Sequence, residues 1–303
     1  MPEYLQFSDN VRHALEADLP IVALESTIIS HGMPYPENIS TAKEVEKIIT
    51  RHGAIPATIA IIEGKISIGL TETQMEFMAT EKQIVKASRR DLPVLLTKKL
   101  HASTTVAATM ICAHLAGIEV FVTGGIGGVH RNAVQTFDIS ADLQELARTN
   151  VAVISAGAKA ILDLKLTTEY LETLGVPVLG YQTDEFPAFY TRTSGISVNS
   201  RVETPAEVAD IIRTKWELGL DGGVLVGNPI PAEHSMHPEE MQHAIEVALN
   251  KAKQEEIEGK DVTPFLLDKI KDLTGGESLT ANIALIKNNA HLGAQIAVAL
   301  KMM

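Results

Sequence analysis

The chain has 303 residues, of which 38 are acidic and 26 basic, so its formal net charge is −12. This acidic balance argues against a nucleic-acid-binding surface, which needs an excess of lysine and arginine. A hydrophobic share of 45% and a charged share of 21% exclude a mainly disordered chain. The one cysteine, Cys112, excludes an intrachain disulfide framework and a multi-cysteine zinc site, and it favours a reducing compartment.

Neither a targeting segment nor a membrane span is expected from the sequence. The N-terminus lacks a basic start followed by an apolar run. The longest apolar candidate, residues 104–117, contains threonines and His114 and is shorter than the roughly 18 residues that a membrane helix needs. We therefore expect a soluble cytoplasmic protein that has no membrane partner.

Strand-like and helix-like segments alternate along the chain. The predicted strands cover residues 21–27, 57–64, 65–70, 84–87, 118–123, 151–156, 176–181 and 222–227. Helices are predicted between them, and three helix starts have recognisable N-caps. Asn38 or Ser40 begins the first of these, Thr71 and Gln74 form a capping box for a short helix, and Thr204 precedes a helix that runs toward Gly219.

This alternation predicts an α/β fold, an α/β/α sandwich in which a mostly parallel central sheet is flanked by helices. The alanine-rich segment 104–115 is predicted to be a buried helix, and residues from about 238 to 303 a helical C-terminal region. Because the β–α rhythm resumes after the loop 181–197, we expect residues 1–303 to form a single domain. Ligands bind such sheets at the carboxyl ends of strands, which directs attention to Glu25, Lys86, the 124–142 loop, Lys159 and Asn228.

Glu25 and Lys159 are charged residues in apolar surroundings. Glu25 interrupts the strand 21–27, where a carboxylate is costly unless it is hydrogen-bonded or used. It could be a general acid with a raised pKa or a structural carboxylate, and position alone does not separate the two. Lys159 follows a strand among small residues, where an amine can act as a nucleophile toward aldehydes. A surface lysine at a helix start is the alternative interpretation.

The glycine-rich loop 124–128 follows a strand and precedes His130 and Arg131. Its backbone N–H groups could approach a polar ligand, although the spacing is not the dinucleotide fingerprint and a plain tight turn is the commoner explanation. His130 could position a substrate hydroxyl or relay a proton, or it could cap a carbonyl group.

Two acidic residues after this loop and a basic cluster earlier in the chain also have two interpretations each. Asp138 and Asp142 could hold a hard cation, but a helix with Ser140 as its N-cap and Asp142 in its first turn explains Asp142 more simply. The basic cluster of Lys86, Arg89 and Arg90 could bind one phosphate or form a solvated surface.

Eight long and unusual motifs give the sequence a specific resemblance over nearly its whole length. They are 23–38 (ALESTIISHGMPYPEN), 56–64 (PATIAIIEG), 88–93 (SRRDLP), 122–131 (VTGGIGGVHR), 136–147 (TFDISADLQELA), 156–183 (AGAKAILDLKLTTEYLETLGVPVLGYQT), 227–231 (GNPIP) and 263–267 (TPFLL). With these motifs the chain resembles the pseudouridine-5′-phosphate glycosidase family. The resemblance implies reversible cleavage of the C–C glycosidic bond of pseudouridine 5′-phosphate, which gives uracil and D-ribose 5-phosphate.

The family resemblance also implies roles for individual residues. By its place in AGAK, Lys159 corresponds to the nucleophile that holds C1′ of the opened sugar as a Schiff-base adduct, and Glu25 in ALEST to the general acid/base. Asp138 corresponds to the ligand of a divalent metal, Mn²⁺. The implied substrate-binding residues, with phosphate near Lys86 and Ser140, are Lys86, Thr105, Val106, His130, Ser140, Ala141, Asp142 and Asn289. The resemblance further implies a homotrimer.

Two other functions compete with this prediction. One is a Schiff-base sugar-phosphate aldolase or lyase that uses the same lysine, and the other is a nucleotide-sugar-phosphate binding protein without catalysis. The acid and the amine argue against the binding protein, because binding alone needs neither of them. The substrate decides between the two enzymes.

Overall fold

A mostly parallel β-sheet organises the chain, and the computed structural model describes residues 3–257, 259 and 262–302. The strands are β1 (Leu5–Phe7), β2 (Ile21–Leu24), β3 (Ile55–Ile62), β4 (Lys65–Ile68), β5 (Val85–Ala87), β6 (Ala102–Thr104), β7 (Val120–Val122), β8 (Val129–His130), β9 (Ala152–Ser155), β10 (Leu162–Asp163), β11 (Val178–Tyr181), β12 (Ser200–Val202) and β13 (Val224–Gly227).

Helices alternate with these strands, and three long ones end the chain. They are α1 (Asp9–Glu16), α2 (Glu37–Arg51), α3 (Glu72–Thr80), α4 (Leu92–Thr97), α5 (Val106–Leu115), α6 (Ala133–Thr136), α7 (Ala141–Leu146), α8 (Leu164–Thr173), α9 (Pro205–Glu217), α10 (Pro238–Gln254), α11 (Val262–Leu273) and α12 (Glu277–Lys301). A wide helical turn, Ile28–Gly32, follows β2, and a short 3-10 turn, Ala232–His234, precedes α10.

The large sheet has the strand order β1-β4-β3-β2-β7-β9-β13-β11-β12, with β6 beside β3 and β5 beside β6. From β3 to β12 along this order every neighbouring pair is parallel. The second half of β3 instead pairs antiparallel with β4 and β6, so one long strand joins the two parts of the sheet. The predicted mostly parallel central sheet is confirmed.

Helices cover both faces of the sheet, as predicted. The C-terminal helix α12 lies against β2, β7 and β9 and also contacts α2 and α9. Its approach is close at Gly293, where an added Cβ would come within 2.2 Å of a methyl carbon of Val122 on β7. Helix α5, which is buried along most of its length, packs against β2, β3, β7 and α7. The central strands are therefore apolar on both sides, which is typical of parallel sheets.

The structure tests the N-caps that the sequence predicts for α2, α3 and α9. Thr71 and Gln74 form the predicted capping box, and Thr204 caps α9. The prediction that Asn38 or Ser40 caps α2 is wrong, because the helix already begins at Glu37 and includes both residues. The buried amide of Asn38 instead donates to the carbonyls of Ile29 and Ala79, so it ties the turn after β2 to α3.

The short strands β1, β6 and β12 and the helices α1 and α4 were not predicted from the sequence. A buried apolar core nevertheless runs through all the layers, and it supports the single-domain organisation, which stays a prediction. Within the described residues, we find no helix that combines the length and the apolar character needed to cross a bilayer.

Candidate active site

A cavity of about 600 Å³ opens at the carboxyl ends of the central strands. Glu25 follows β2, and Lys159 lies four residues beyond β9, with β7 between these two strands in the sheet. Both side chains line this cavity. The sheet therefore brings the two candidate catalytic residues, which are 134 positions apart in the sequence, to one site.

Glu25 is nearly buried, with 8% of its surface exposed. Its two carboxylate oxygens accept hydrogen bonds from the hydroxyls of Thr27 and Thr123. Thr123 is well placed for this contact because Leu24 pairs with Val122 in the parallel register of β2 and β7. Burial raises the pKa of Glu25 above its usual value of 4.5, while Lys159 and the Thr123 hydroxyl act in the opposite direction. Glu25 can therefore keep a proton at a pH at which an exposed glutamate has lost it.

The glycine loop forms one wall of the site that Glu25 and Lys159 also line. Lys159 donates its backbone N–H to the carbonyl of Ile126 at 3.1 Å, so the chain after β9 runs alongside the loop. The glycines allow close contacts with other segments. A Cβ at Gly125 would lie 2.6 Å from the ring of Phe189, and one at Gly127 would lie 2.2 Å from Ser140 Oγ. The loop is therefore mostly backbone, and it packs tightly against the segments that carry Phe189 and Ser140.

Asp142 fixes this wall to the start of α5. Its Oδ1 accepts the N–H of Ala107 at 2.9 Å, and its Oδ2 accepts the N–H of Gly127 at 2.8 Å. Ser140 is the N-cap of α7, as predicted, and accepts the N–H of Asp142. Asp142 lines the cavity, but both of its oxygens already serve the backbone, which makes it a residue that shapes the site.

The cavity has a cationic end. Lys86 on β5 lines it, together with Arg89, Arg90 and Arg148. Arg89 donates two hydrogen bonds of 2.7 Å to the buried carboxylate of Glu145, so this part of the predicted basic cluster is held by an ion pair. The starts of α5 and α7, with Thr105, Val106, Ser140 and Ala141, lie on the same wall. Cations and helix N-termini together favour an anionic group such as phosphate.

Asp138 and His130 lie on the wall of the cavity at its mouth. The Asp138 side chain is 48% exposed, and its Oδ2 lies 3.8 Å from His130 Nε2. In the part of the chain that the structure describes, no three histidine, cysteine, aspartate or glutamate residues form a ready-made metal cluster. A cation that keeps most of its water needs only one or two carboxylates, and Asp138 offers one to the cavity.

A smaller compartment of about 70 Å³ adjoins the large cavity beyond Glu25 and Lys159. Phe189 lines it and adopts a left-handed backbone conformation with φ of 67°, which is strained for a bulky residue and is typical of functional sites. Asn282 on α12 also lines it and is 8% exposed. Its amide has no hydrogen-bonding partner among the described residues, so it can bind a ligand.

Asn289 does not line this cavity or the compartment beside it. It is fully buried on α12, where its amide donates to the carbonyl of Thr123 at 2.9 Å and accepts from Asn228 at 3.0 Å. The structure therefore places Asn289 behind the glycine loop, as a support for it, with Asn228 beside it and also outside both cavities. The other residues with an implied catalytic, substrate-binding or metal role lie on the cavity wall. Asn282, seven residues earlier on the same helix, faces the site.

Several site residues were missed from the sequence. Thr27 and Thr123 carry no signal by themselves, since threonine is common in strands, and only the register beside Glu25 reveals them. Phe189 lies in the loop 181–197, and no sequence pattern connects this loop with the site. Arg148, near the end of α7, joins the cationic end only through the fold.

Comparison with known proteins identifies the family of this chain. Residues 10–299 match the family described as indigoidine synthase A like protein. The pseudouridine-5′-phosphate glycosidase of Petrotoga mobilis is 66% identical over 97% of this chain and 96% of its own length. The enzyme of the same name from Caldanaerobacter subterraneus subsp. tengcongensis is 64% identical over 99% of this chain and 98% of its own.

Two solved structures have the same fold. The prealnumycin C-glycosynthase AlnA, in complex with ribulose 5-phosphate, superposes with a TM-score of 0.92 at 38% identity and covers 100% of this chain and 98% of its own. An indigoidine synthase A-like protein from Thermotoga maritima gives 0.89 at 37% identity and covers 98% and 96%. The chain therefore belongs to the indigoidine synthase A like family, together with these pseudouridine-5′-phosphate glycosidases.

Proposed function

We propose that the chain is a pseudouridine-5′-phosphate glycosidase, which cleaves the C–C bond between uracil and ribose 5-phosphate and also forms it. One observation carries the proposal: Glu25 and Lys159, an acid and an amine, line one cavity that has a cationic end. Curated relatives of that name match this chain over nearly its whole length. The C-glycosynthase that binds ribulose 5-phosphate supports a sugar phosphate as the ligand.

Lys159 and Glu25 have different roles in the proposed reaction. Lys159 bonds to C1′ as the bond from C1′ to the ring oxygen breaks, and its nitrogen lone pair then forms a Schiff base with C1′ while the C–C bond breaks and the electron pair of that bond passes to uracil. The carbon of uracil that leaves takes up a proton, and Glu25, whose pKa is raised by burial, supplies it. Water then hydrolyses the Schiff base, which releases ribose 5-phosphate and restores the amine of Lys159. The hydroxyls of Thr27 and Thr123 hold the carboxyl group in place.

The phosphate occupies the cationic end in this proposal. Lys86 supplies a positive charge there, and the starts of α5 and α7 supply backbone N–H groups at Val106 and Ala141. The ion pair between Glu145 and Arg89 keeps a guanidinium at the cavity wall. The sugar then extends from this end toward Lys159, and uracil lies beyond it, beside Glu25.

The direct test is incubation of the protein with pseudouridine 5′-phosphate and Mn²⁺, with uracil release followed by absorbance after chromatography. We expect uracil and ribose 5-phosphate in equal amounts. A Schiff-base aldolase would instead cleave a C–C bond within a sugar phosphate and release no uracil. Absence of turnover with pseudouridine 5′-phosphate would rule out the proposed activity.

Asp138 is the proposed protein ligand of a divalent cation, Mn²⁺, which would supply positive charge at the mouth of the cavity. Changing Asp138 to alanine should weaken Mn²⁺ binding by about 10-fold or more, because the half-exposed carboxylate is the charged ligand available there. The measurement is the free Mn²⁺ signal in electron paramagnetic resonance, with Asp210→Ala, an exposed position on α9, as the control. Unchanged Mn²⁺ affinity in the Asp138 variant would remove this residue from the metal site.

Asn282 is the proposed contact for the polar edge of uracil. Asn282→Leu keeps the size of the side chain but removes the amide, and we expect the KM for uracil in the synthesis direction to rise by about 10-fold. The KM for ribose 5-phosphate should stay close to the wild-type value. Asn289→Leu is the matched comparison and should mainly lower the melting temperature, since it leaves the carbonyl of Thr123 without its partner. The reverse pattern would assign the base contact to Asn289.

A homotrimer and a cytoplasmic location complete the proposal. Val134 and Phe137 beside the cavity mouth are 75% and 83% exposed, and such apolar exposure supports an interface between subunits. Light scattering on the purified protein tests the trimer. A reducing compartment is supported by Cys112, the one cysteine, which is fully buried with its pKa raised to about 12 by that burial.

A further inference from the structure

Three cavities follow one another across the site. The cavity of about 600 Å³ and the compartment of about 70 Å³ share wall residues, and the compartment in turn shares residues with an outer pocket of about 310 Å³. The first shared set is Glu25, Thr27, Lys86, Lys159 and Thr263. The second is His31, Gly32, Pro264, Leu267 and Asn282. The large cavity and the outer pocket share no wall residue in the described chain, so the compartment lies between them.

The two ends of this series differ in charge. The large cavity has Lys86 and three arginines on its wall, which suits a phosphate. The outer pocket is lined by Met33, Pro34 and Tyr190, and its charged residues are Asp268 and Lys271, which pair with each other at 2.7 Å. A wall of this kind suits a neutral, flat ring and gives a sugar phosphate no net positive charge.

Gly32 and Leu267 line both the compartment and the outer pocket, and they belong to two different elements. Gly32 ends the turn that follows β2, and Leu267 lies on α11, which packs against that turn. An added Cβ at Gly32 would lie 3.5 Å from both Ile28 Cγ1 and the carbonyl oxygen of Thr27, which are ordinary van der Waals distances. The backbone at Gly32 therefore tolerates a larger residue, at a position that lines both the compartment and the outer pocket.

We propose that the outer pocket is a second entrance, through which a neutral pyrimidine base enters and leaves the site. This inference rests on the proposed function, in which the sugar phosphate is held at its phosphate by cations and at C1′ by Lys159. A sugar held at both ends lies between the base and the mouth of the large cavity. The base therefore passes Gly32 and Leu267, while ribose 5-phosphate remains in place.

Narrowing the connection tests the entrance. In Gly32→Val, the exchange of labelled uracil into pseudouridine 5′-phosphate should slow by about 10-fold. The uracil concentration that gives half-maximal exchange should not change, because a narrower path slows entry and exit alike. Borohydride trapping of ribose 5-phosphate at Lys159 should keep its wild-type rate, since the sugar phosphate uses the other mouth. Adding Leu267→Ala in the same chain should restore exchange by widening the opposite wall.

Each other outcome contradicts the entrance in its own way. Unchanged exchange in Gly32→Val means that the base takes another path. A raised half-saturating concentration at an unchanged maximal rate means that Gly32 contacts the bound base, and equal losses of exchange and trapping mean that the whole site is distorted. Should Gly32→Val not fold, Leu267→Trp narrows the same place from α11 and must give the same pattern. Failure of the wild-type protein to release uracil would instead overturn the proposed function and the entrance with it.

Discussion

Replacing Lys159 with alanine is expected to abolish cleavage of pseudouridine 5′-phosphate and to leave the fold intact. Loss of the nucleophile of a covalent mechanism lowers kcat by about 10⁴-fold or more. The fold should persist because Lys159 contributes its backbone N–H to the glycine loop, and alanine keeps that hydrogen bond. Turnover is measured by uracil release, and folding by circular dichroism and the melting temperature.

Trapping identifies the amine directly. Borohydride reduction in the presence of ribose 5-phosphate should add mass at Lys159 in the wild-type protein and no mass in Lys159→Ala. The control is Lys165→Ala, an exposed lysine on α8 outside the cavity, which should retain both turnover and the adduct. Lys86 lines the same cavity, so a label on Lys86 would contradict the assignment and transfer the nucleophilic role to that residue.

Replacing Glu25 with glutamine is expected to lower cleavage by about 10³-fold, the usual contribution of a positioned general acid. Glutamine has nearly the same shape and can still hydrogen-bond to Thr27 and Thr123, but it cannot donate a proton to carbon. Borohydride trapping of ribose 5-phosphate should persist in this variant, since Lys159 remains. Full turnover in Glu25→Gln would show that the proton comes from another group.

The pH dependence gives this prediction a second readout. Burial raises the pKa of Glu25 in the folded protein above 4.5, so between 4.5 and the raised value the folded state binds more protons than the unfolded state. The contribution of Glu25 to stability is therefore lost as pH rises through this window, and cleavage by the wild-type enzyme falls with it. Glu25→Gln removes the titrating group, so its melting temperature should not show the fall with rising pH that Glu25 causes in the wild-type protein.

Secondary structure was predictable where the signal lies within a few residues. Thr71 with Gln74 and Thr204 with Pro205 announce their helices locally, and the structure has both. Distant pairing was not predictable, because β1 has three residues and becomes a strand only through its ladder to β4, more than fifty residues later. The sequence suggests Asn38 as a helix cap. Its hydrogen bonds to Ile29 and Ala79 could not be predicted, because they depend on tertiary contacts.

Some residues of the site can be recognised from the sequence, while others are identified only by their position in the fold. Glu25 and Lys159 stand out in the sequence because a charge in an apolar segment needs a reason. Asn282 and Asn289 lie seven residues apart on α12, close to two helical turns, so they share a helix face and periodicity cannot tell which one reaches the ligand. Only the depth of packing under the glycine loop separates them, and that depth is a property of the whole fold.

The loop 124–128 has a consequence for the motions available to the enzyme. Four of its five residues have no side chain, and three different segments press on them through Phe189, Ser140 and Thr167. A surface made of backbone has no rotamers to change, so this side of the cavity cannot adapt its shape to one ligand at a time. Selectivity for one sugar must then come from the fixed shape of this wall. Any change in the shape of the cavity between bound substrate and bound product must come from the opposite wall, where the longer side chains lie.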